Sequence, residues 1–509
     1  MGTRIAIRGG DSLSSSTIHE TTCLQALDRI DLSKVKLDPI WSHALPAPGV
    51  RRFRAIGLCQ VDGEVVVATC NPQVSQVQAF IETRIHQPFR LVGTDEAAFR
   101  LLLSRVYSKQ APVVHSEHEA ESCETVDACD ELLRAALLRG ASDIHLMPDE
   151  KVLHTKFRVD GVLEKYREFP AGLHSGLVSR IKVLAGMNIA EKREPQDGRF
   201  SIDNAYNQKP IDIRVATIPT RHGERVTLRL LTPMQGSPSL ADLGMAEGEL
   251  TKFSNAIAST NGLVLLTGPT GCGKSTTLYT AIRHLLKTRG GNVITVEDPI
   301  EYEIPGASQV EVDSSEKVSF SRALRSILRH DPDVIMLGEI RDAETAELAI
   351  KASLTGHLVF STLHTNTAAG VVTRLIDMGV EPFLIAATLR LAVAQRLVRK
   401  LCPQCRVDTI LSHQDAVALG MSQLSEQRIY ESKGCVYCAG KGFVGRSALF
   451  EMLPGGGGVA DAITSGTAES QLIEHMHEAG HSLLIEDGVN KVLAGTTTAE
   501  QVLAAVAMW

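Results

Sequence analysis

A chain of 509 residues is long enough for three or four domains, each able to bury its own core. Its 44% hydrophobic and 22% charged residues describe ordinary globular protein, and a net charge of -7 argues against a general attraction to nucleic acid. No stretch approaches about 18 consecutive apolar residues, and Met1-Gly-Thr-Arg-Ile-Ala-Ile-Arg8 lacks a signal-peptide core, so a cytoplasmic chain with no transmembrane segment of its own is expected.

Residues 1–20 are rich in Ser, Thr and Gly and are expected to be disordered. From 21 to 107, helical stretches and the strand-like Glu64-Val-Val-Val-Ala-Thr69 predict a small α+β domain, and the polar, proline-bearing 108–125 reads as a linker. A second α+β domain is expected over 126–235. It opens with an amphipathic helix from Asp127 to Arg139 and continues through strands near Ile144, Leu153 to Val159 and Ile211 to Thr217, with arginines at strand ends.

Over 236–401, apolar runs at 263–266, 293–296, 334–337 and 358–362 alternate with helical stretches, the pattern of a largely parallel sheet covered by helices. The first run feeds into Gly268-Pro-Thr-Gly-Cys-Gly-Lys-Ser-Thr276, and Leu278, Ala281, Ile282, Leu285 and Leu286 follow at helical spacing. That strand, loop and helix form a phosphate-binding unit. Gly268, Gly271 and Gly273 let backbone N–H groups cradle phosphate oxygens, Lys274 supplies charge to the β- and γ-phosphates, and the Ser275 hydroxyl can coordinate Mg²⁺.

Hydrolysis also needs acids at the crevice, and two strands end in them: Glu297-Asp298-Pro-Ile-Glu301 after 293–296, and Gly338-Glu339-Ile-Arg341-Asp342 after 334–337. Glu297 and Glu339 are the candidates for polarising water and for the Mg²⁺ side, in either assignment. Asp298 and Asp342 read equally well as members of this acidic group and as a helix N-cap or solvated turn.

Four of the ten cysteines form two pairs, Cys402-Pro-Gln-Cys405 and Cys435-Val-Tyr-Cys438, just past a basic helix end at Arg396-Leu-Val-Arg-Lys-Leu401. Two C-x₂-C pairs in a reducing compartment predict a structural zinc site over 402–438 whose filled thiolate shell leaves no catalytic position. Residues 439–509 read as mostly helical, broken by Gly455-Gly-Gly-Gly458.

These motifs together resemble the ATPases of type II secretion and type IV pilus assembly, the GspE/PilB-like family. The resemblance rests on the loop 268–278, Val296-Glu-Asp-Pro-Ile-Glu-Tyr302, Leu328 to Asp342, Thr355-Gly-His-Leu-Val-Phe-Ser-Thr-Leu-His-Thr-Asn366, Ala141-Ser-Asp-Ile-His-Leu146, Arg158-Val-Asp-Gly-Val162, Pro195-Gln-Asp-Gly-Arg199 and the cysteine pairs, covering about 127–452. It implies a RecA-like P-loop domain preceded by a PAS-like α+β domain. It implies one ATP site of Lys274, Glu297, Glu301, Glu339 and His364 with His357 in the same stretch, and arginines of the preceding domain, Arg199 and Arg214, that reach the phosphates. It further implies a homohexamer bound to an inner-membrane platform, with residues 21–107 as the docking domain. Cys272 stands where a serine is common, which suggests sensitivity to oxidation, and His330 where a glutamine is common.

Glu301-Tyr-Glu-Ile-Pro-Gly306 and the one-domain N-terminal region favour secretion over the type IV pilus extension motor. A zinc-containing nucleic-acid translocase is the reading from another class. Arg396, Arg399, Lys400 and Arg406 would supply its charge, but no aromatic platform accompanies them.

Overall fold

The computed structural model describes residues 24, 27–107, 117–202, 210–231, 238–312, 319–424 and 426–506. Residues 1–20, expected to be disordered, lie outside the described residues. The chain divides into two compact units, Met1–Pro112 and Val113–Trp509.

In the first unit, β1 (Ala55–Val61) pairs antiparallel with β2 (Glu64–Thr69), and β2 pairs parallel with β3 (Phe89–Gly93). A parallel step needs a crossover, here the helix Val74–Glu82, which buries Val74, Val77 and Ile81 along one side. The helix Glu96–Val106 starts at Asp95, whose carboxylate accepts from Ala98 N at 2.7 Å.

The second unit opens with the helix Glu117–Arg139, so 117–125, expected as linker, is helical. The amphipathic period that reveals a helix begins only where this one meets the sheet, at Ala128, Leu132 and Ala135, and its leading turns carry no such signal. Six antiparallel strands follow: β4 (Ala141–Pro148), β5 (Val152–Val159), β6 (Val162–Pro170), β7 (Gln196–Ile202), β8 (Ile211–Thr220) and β9 (Gly223–Leu231), in the spatial order β6-β5-β4-β9-β8-β7. Along β5, Leu153, Thr155, Phe157 and Val159 are buried and their neighbours are not. That face packs against the helix Glu117–Arg139 and the helix Gly172–Leu184. The opposite face carries a row in register across five strands: Arg158, Asp143, Arg229, Arg214 and Arg199.

A seven-stranded sheet forms the centre of the remainder: β10 (Gly262–Thr267), β11 (Val293–Glu297), β12 (Ala307–Glu311), β13 (Val334–Leu337), β14 (Leu358–Leu363), β15 (Leu389–Leu401) and, after the two short strands β16 (Val407–Ile410) and β17 (Arg428–Glu431), β18 (Phe443–Pro454). The order is β12-β11-β13-β14-β10-β15-β18, parallel throughout except for the antiparallel pair β15–β18. Parallel sheets are covered on both faces, and β10 shows why its sequence is uninterruptedly apolar. Leu263 and Leu265 feed one core with the helices Ala343–Leu354 and Gly370–Asp377, while Val264 and Leu266 feed the other with Glu247–Ile257 and Lys274–Thr288.

Two expectations change here. Arg396–Leu401, read as a basic helix end, belongs to strand β15. Its Leu, Ala, Gln and Arg residues favour helix locally, but pairing with β10 on one side and β18 on the other overrides that preference. The segment from 439, read as helical, first returns to the central sheet as β18, with Leu401 opposite Phe443, before the helices Gly457–Thr464, Glu469–Glu478, Leu484–Leu493 and Ala499–Val506. Those helices bury Ile463, Leu472, Met476, Val489 and Val502 in the same core as Leu263.

Candidate functional site

Strand β10 ends at Thr267, whose hydroxyl meets the Thr365 carbonyl at 2.9 Å and accepts from Thr365 N at 2.7 Å, fixing the start of the glycine loop to the chain beyond β14. Gly268 lies at φ 140°, and a Cβ there would fall 2.5 Å from the Gln395 carbonyl oxygen and 2.8 Å from Cys272 Sγ, so only glycine fits. Lys274 opens the helix Lys274–Thr288 and folds over its own loop, donating to the carbonyls of Gly268 at 2.7 Å and Pro269 at 3.2 Å. Burial holds its ammonium below the ordinary lysine range, against the pull of Cys272, Glu339 and Glu301. Thr270 and Gly271 are exposed at the loop tip, while Ser275 and Thr276 are half-buried in the first helical turn.

Cys272 is buried, and burial pushes its thiol up, against Lys274 and Arg396. This corrects the expectation of an oxidation-sensitive loop, because a reactive cysteine needs exposure and thiolate character.

The carboxylates divide into two settings. Glu297 is buried at the end of β11, where Oε1 accepts from Thr295 Oγ1 at 2.6 Å and Gln309 Nε2 at 2.9 Å, and Oε2 accepts from the Tyr279 hydroxyl. The Tyr279 oxygen in turn accepts from Glu301 N at 3.3 Å. Burial drives the Tyr279 phenol well above the ordinary tyrosine range, and the hydrogen bond to Glu297 adds to it, so it stays a donor. Glu339, just past β13, is less enclosed: it pairs with Arg341 on one side and with His364 Nε2 at 3.1 Å on the other, and Arg341 also reaches Asp298 at 3.5 Å. Asp342 caps the helix Ala343–Leu354 by accepting from Thr345 N at 2.8 Å. His357 stands apart from this group. It precedes β14, at the far end of the strand from His364, with Nδ1 2.9 Å from the Ala352 carbonyl.

Of the two arginines of the preceding domain, Arg214 is half-buried and donates from Nη2 to the Ile300 carbonyl at 3.2 Å, in the loop after Glu297. Arg199 is opposite Arg214 in register on β7 and is exposed. Arg229, on the other side of Arg214, donates to Asp143 at 3.0 Å.

The cysteine pairs converge. Cys402, Cys405, Cys435 and Cys438 place their sulfurs within 4.8 Å of one another, with separations of 3.9 Å (402 to 435), 3.8 Å (405 to 438) and 3.8 Å (435 to 438). A tetrahedral shell with Zn–S bonds of about 2.3 Å has edges of about 3.8 Å, so the donor set fits that ion. The N–H groups of Cys435 and Gly442 each lie 3.1 Å from Cys438 Sγ and donate to it, which favours its thiolate form. Neighbouring basic residues are engaged in packing: Arg399 lies over Phe443 at 4.1 Å and Arg406 over Tyr430 at 4.5 Å.

Sequence reading missed the side chains that hold the loop from beneath. Gln395 donates to the Cys272 carbonyl at 2.8 Å and accepts from Thr277 Oγ1 at 2.9 Å, and Arg396 bonds the Gln395 and Asn366 carbonyls at 3.0 Å each. Tyr279 and Gln309 were missed too; the only local signal for any of them was the polar pair Gln395-Arg396 inside an apolar run.

The profile of the family described as "Type II/IV secretion system protein" matches residues 118–504. The chain is 43% identical over 446 residues to the putative type II secretion system protein E of Escherichia coli K12, covering 86% of this chain and 89% of that one. It is 40% identical over 457 residues to the type II secretion system ATPase E of Vibrio cholerae, covering 84% and 90%. Among solved structures, the pilus retraction motor PilT with bound ADP superposes with a TM-score of 0.50 at 27% identity, covering 74% of this chain and 96% of that one. No helix among the described residues is long and apolar enough to cross a membrane. With the glycine loop, the acidic strand ends and the four-cysteine cluster in one body, the chain belongs to the type II/IV secretion system protein family.

Proposed function

We propose that this protein hydrolyses ATP to drive protein export through a type II secretion system, as a hexamer on the cytoplasmic face of the inner membrane, held there by platform proteins. The observation that carries the reading is Lys274 folded over the glycine loop between β10 and its helix, where its ammonium feels the pull of Glu339 at the end of β13, an acid paired with His364 at 3.1 Å. A cation on a glycine loop with an acid at the end of another strand of the same sheet is the equipment that phosphoryl transfer calls for. Likeness to relatives named for type II secretion along about nine-tenths of their length supports secretion. The likeness to PilT supports a pilus motor as the second reading.

On this reading the region 236–401 with β18 is a RecA-like motor and 126–235 a PAS-like partner domain. Lys274 leaves its loop carbonyls to meet the β- and γ-phosphates. Glu339 orients the attacking water and Glu297, enclosed by Tyr279, Thr295 and Gln309, sets the position of the 298–301 loop, including Glu301. Ser275 would hold Mg²⁺, which supplies charge neutralisation at the β- and γ-oxygens. Arg214, with Arg199 beside it, brings positive charge to the phosphates when the two domains close, so hydrolysis moves one against the other. The four cysteines would hold structural zinc.

ATP turnover by the purified chain and by Lys274→Ala, Glu339→Gln and Glu297→Gln tests this. Lys274→Ala should abolish hydrolysis, and Glu339→Gln should bind ATP yet turn over at least about a hundredfold more slowly. Near-normal turnover in all three variants would end the enzyme reading.

A further inference from the structure

Arg396 is 4% exposed, in the middle of β15, directly beneath the glycine loop. A Cβ on Gly268 would lie 3.0 Å from its Nη1, and the carbonyl of its neighbour Gln395 would be closer still, at 2.5 Å. Nη1 donates to Gln395 O and Nη2 to Asn366 O, each at 3.0 Å, while Nε has no hydrogen-bond partner among the described residues. No described carboxylate forms an ion pair with it. Glu451, an acid whose charge it feels, is itself pushed toward its neutral form by burial. Lys274, the other cation at this loop, is repelled by it. Glu339 and Glu301 oppose the charge of Lys274, but the enclosed Arg396 guanidinium has no ion-paired carboxylate among the described residues, a costly arrangement that becomes more favourable when negative charge arrives above the loop.

We propose that Arg396 is a positioning residue for the phosphate loop, the buried counter-charge that acts through the loop backbone on the phosphates bound above it. The inference rests on the nucleotide-site reading given above and goes beyond it by assigning a role to a side chain outside the loop and the acidic strand ends. Arg396 touches no reacting atom. It fixes the carbonyls of Gln395 and Asn366, and the Gln395 side chain in turn bonds the Cys272 carbonyl and the Thr277 hydroxyl, so the loop backbone rests on these two side chains.

The test compares full-length wild type with Arg396→Lys, Arg396→Gln and Arg396→Met, measuring affinity for Mg·ADP and, by competition, for adenosine, which lacks phosphate. Loss of the charge should weaken ADP binding about tenfold and leave adenosine binding unchanged, whereas Arg396→Lys should stay within about threefold of wild type. If Arg396→Met does not fold, Arg396→Gln carries the comparison, since it can still bond a carbonyl but bears no charge. Equal ADP affinity in wild type and Arg396→Gln, or parallel loss of ADP and adenosine affinity, overturns the proposal. A wild-type protein that binds no ADP at all would instead overturn the nucleotide reading beneath it.

Discussion

Tyr279 and Glu297 share a buried hydrogen bond that joins the helix after the glycine loop to the end of β11, and the same tyrosine oxygen receives the N–H of Glu301. The helix is thereby tied to the loop that Arg214 touches. Tyr279→Phe keeps the ring but leaves a buried carboxylate oxygen short of a donor, which should cost about 1–3 kcal/mol in denaturant unfolding. Unchanged stability would show that the bond contributes nothing.

Arg214 is the described bond between the six-stranded sheet and the loop following Glu297. Arg214→Ala should lower kcat about tenfold or more while moving ATP affinity less, since on the proposed closure its charge reaches the phosphates after binding. An equal loss in both constants would place Arg214 in simple binding.

The sulfur spacings call for about one zinc per chain by elemental analysis. Cys402→Ser and Cys438→Ser should each lose the metal and lower the melting temperature, and chelation of the wild type should do likewise. Metal-free protein with four freely titratable thiols would refute the site.

Glu451 is buried in β18, accepting from Ala368 N at 2.7 Å and Leu484 N at 3.3 Å, and burial raises its pKa above the ordinary 4.5. The folded state therefore keeps a proton that the unfolded state releases, and the stability contributed by that group falls as pH rises from 4.5 through the raised value. Glu451→Gln removes this term, so denaturant curves between pH 4 and 8 should show the variant gaining on wild type as pH increases. A difference that is flat with pH would contradict the assignment.

What could be read in the sequence was local. The glycine loop, the acids after two strands and the paired cysteines each declare themselves within a few positions, and the structure pairs Glu339 with His364 and brings the four sulfurs together. His357 and His364 looked alike because both flank one apolar strand, yet the strand separates them by about 20 Å. The side chains beneath the loop gave no comparable sign: Thr277 and Gln395 are 118 positions apart, and Arg396 reads as surface charge until β15 is seen to lie between β10 and β18. The same long-range pairing turned an apparent basic helix into a strand, since helix propensity is weaker than a place in the middle of a sheet.

Leu401 and Phe443 stand opposite each other on neighbouring strands, about 5 Å apart as strands in a sheet are. Everything from Cys402 to Gly442 thus leaves and rejoins the scaffold through a single narrow doorway. Yet the inserted stretch is anchored well beyond that doorway: Leu411, Ala416, Leu419 and Ile429 join the core of Leu263, and Arg406 donates to the Gly495 carbonyl at 2.7 Å. Loosening the thiolate knuckle should therefore be felt in the motor's own core, not in the knuckle alone.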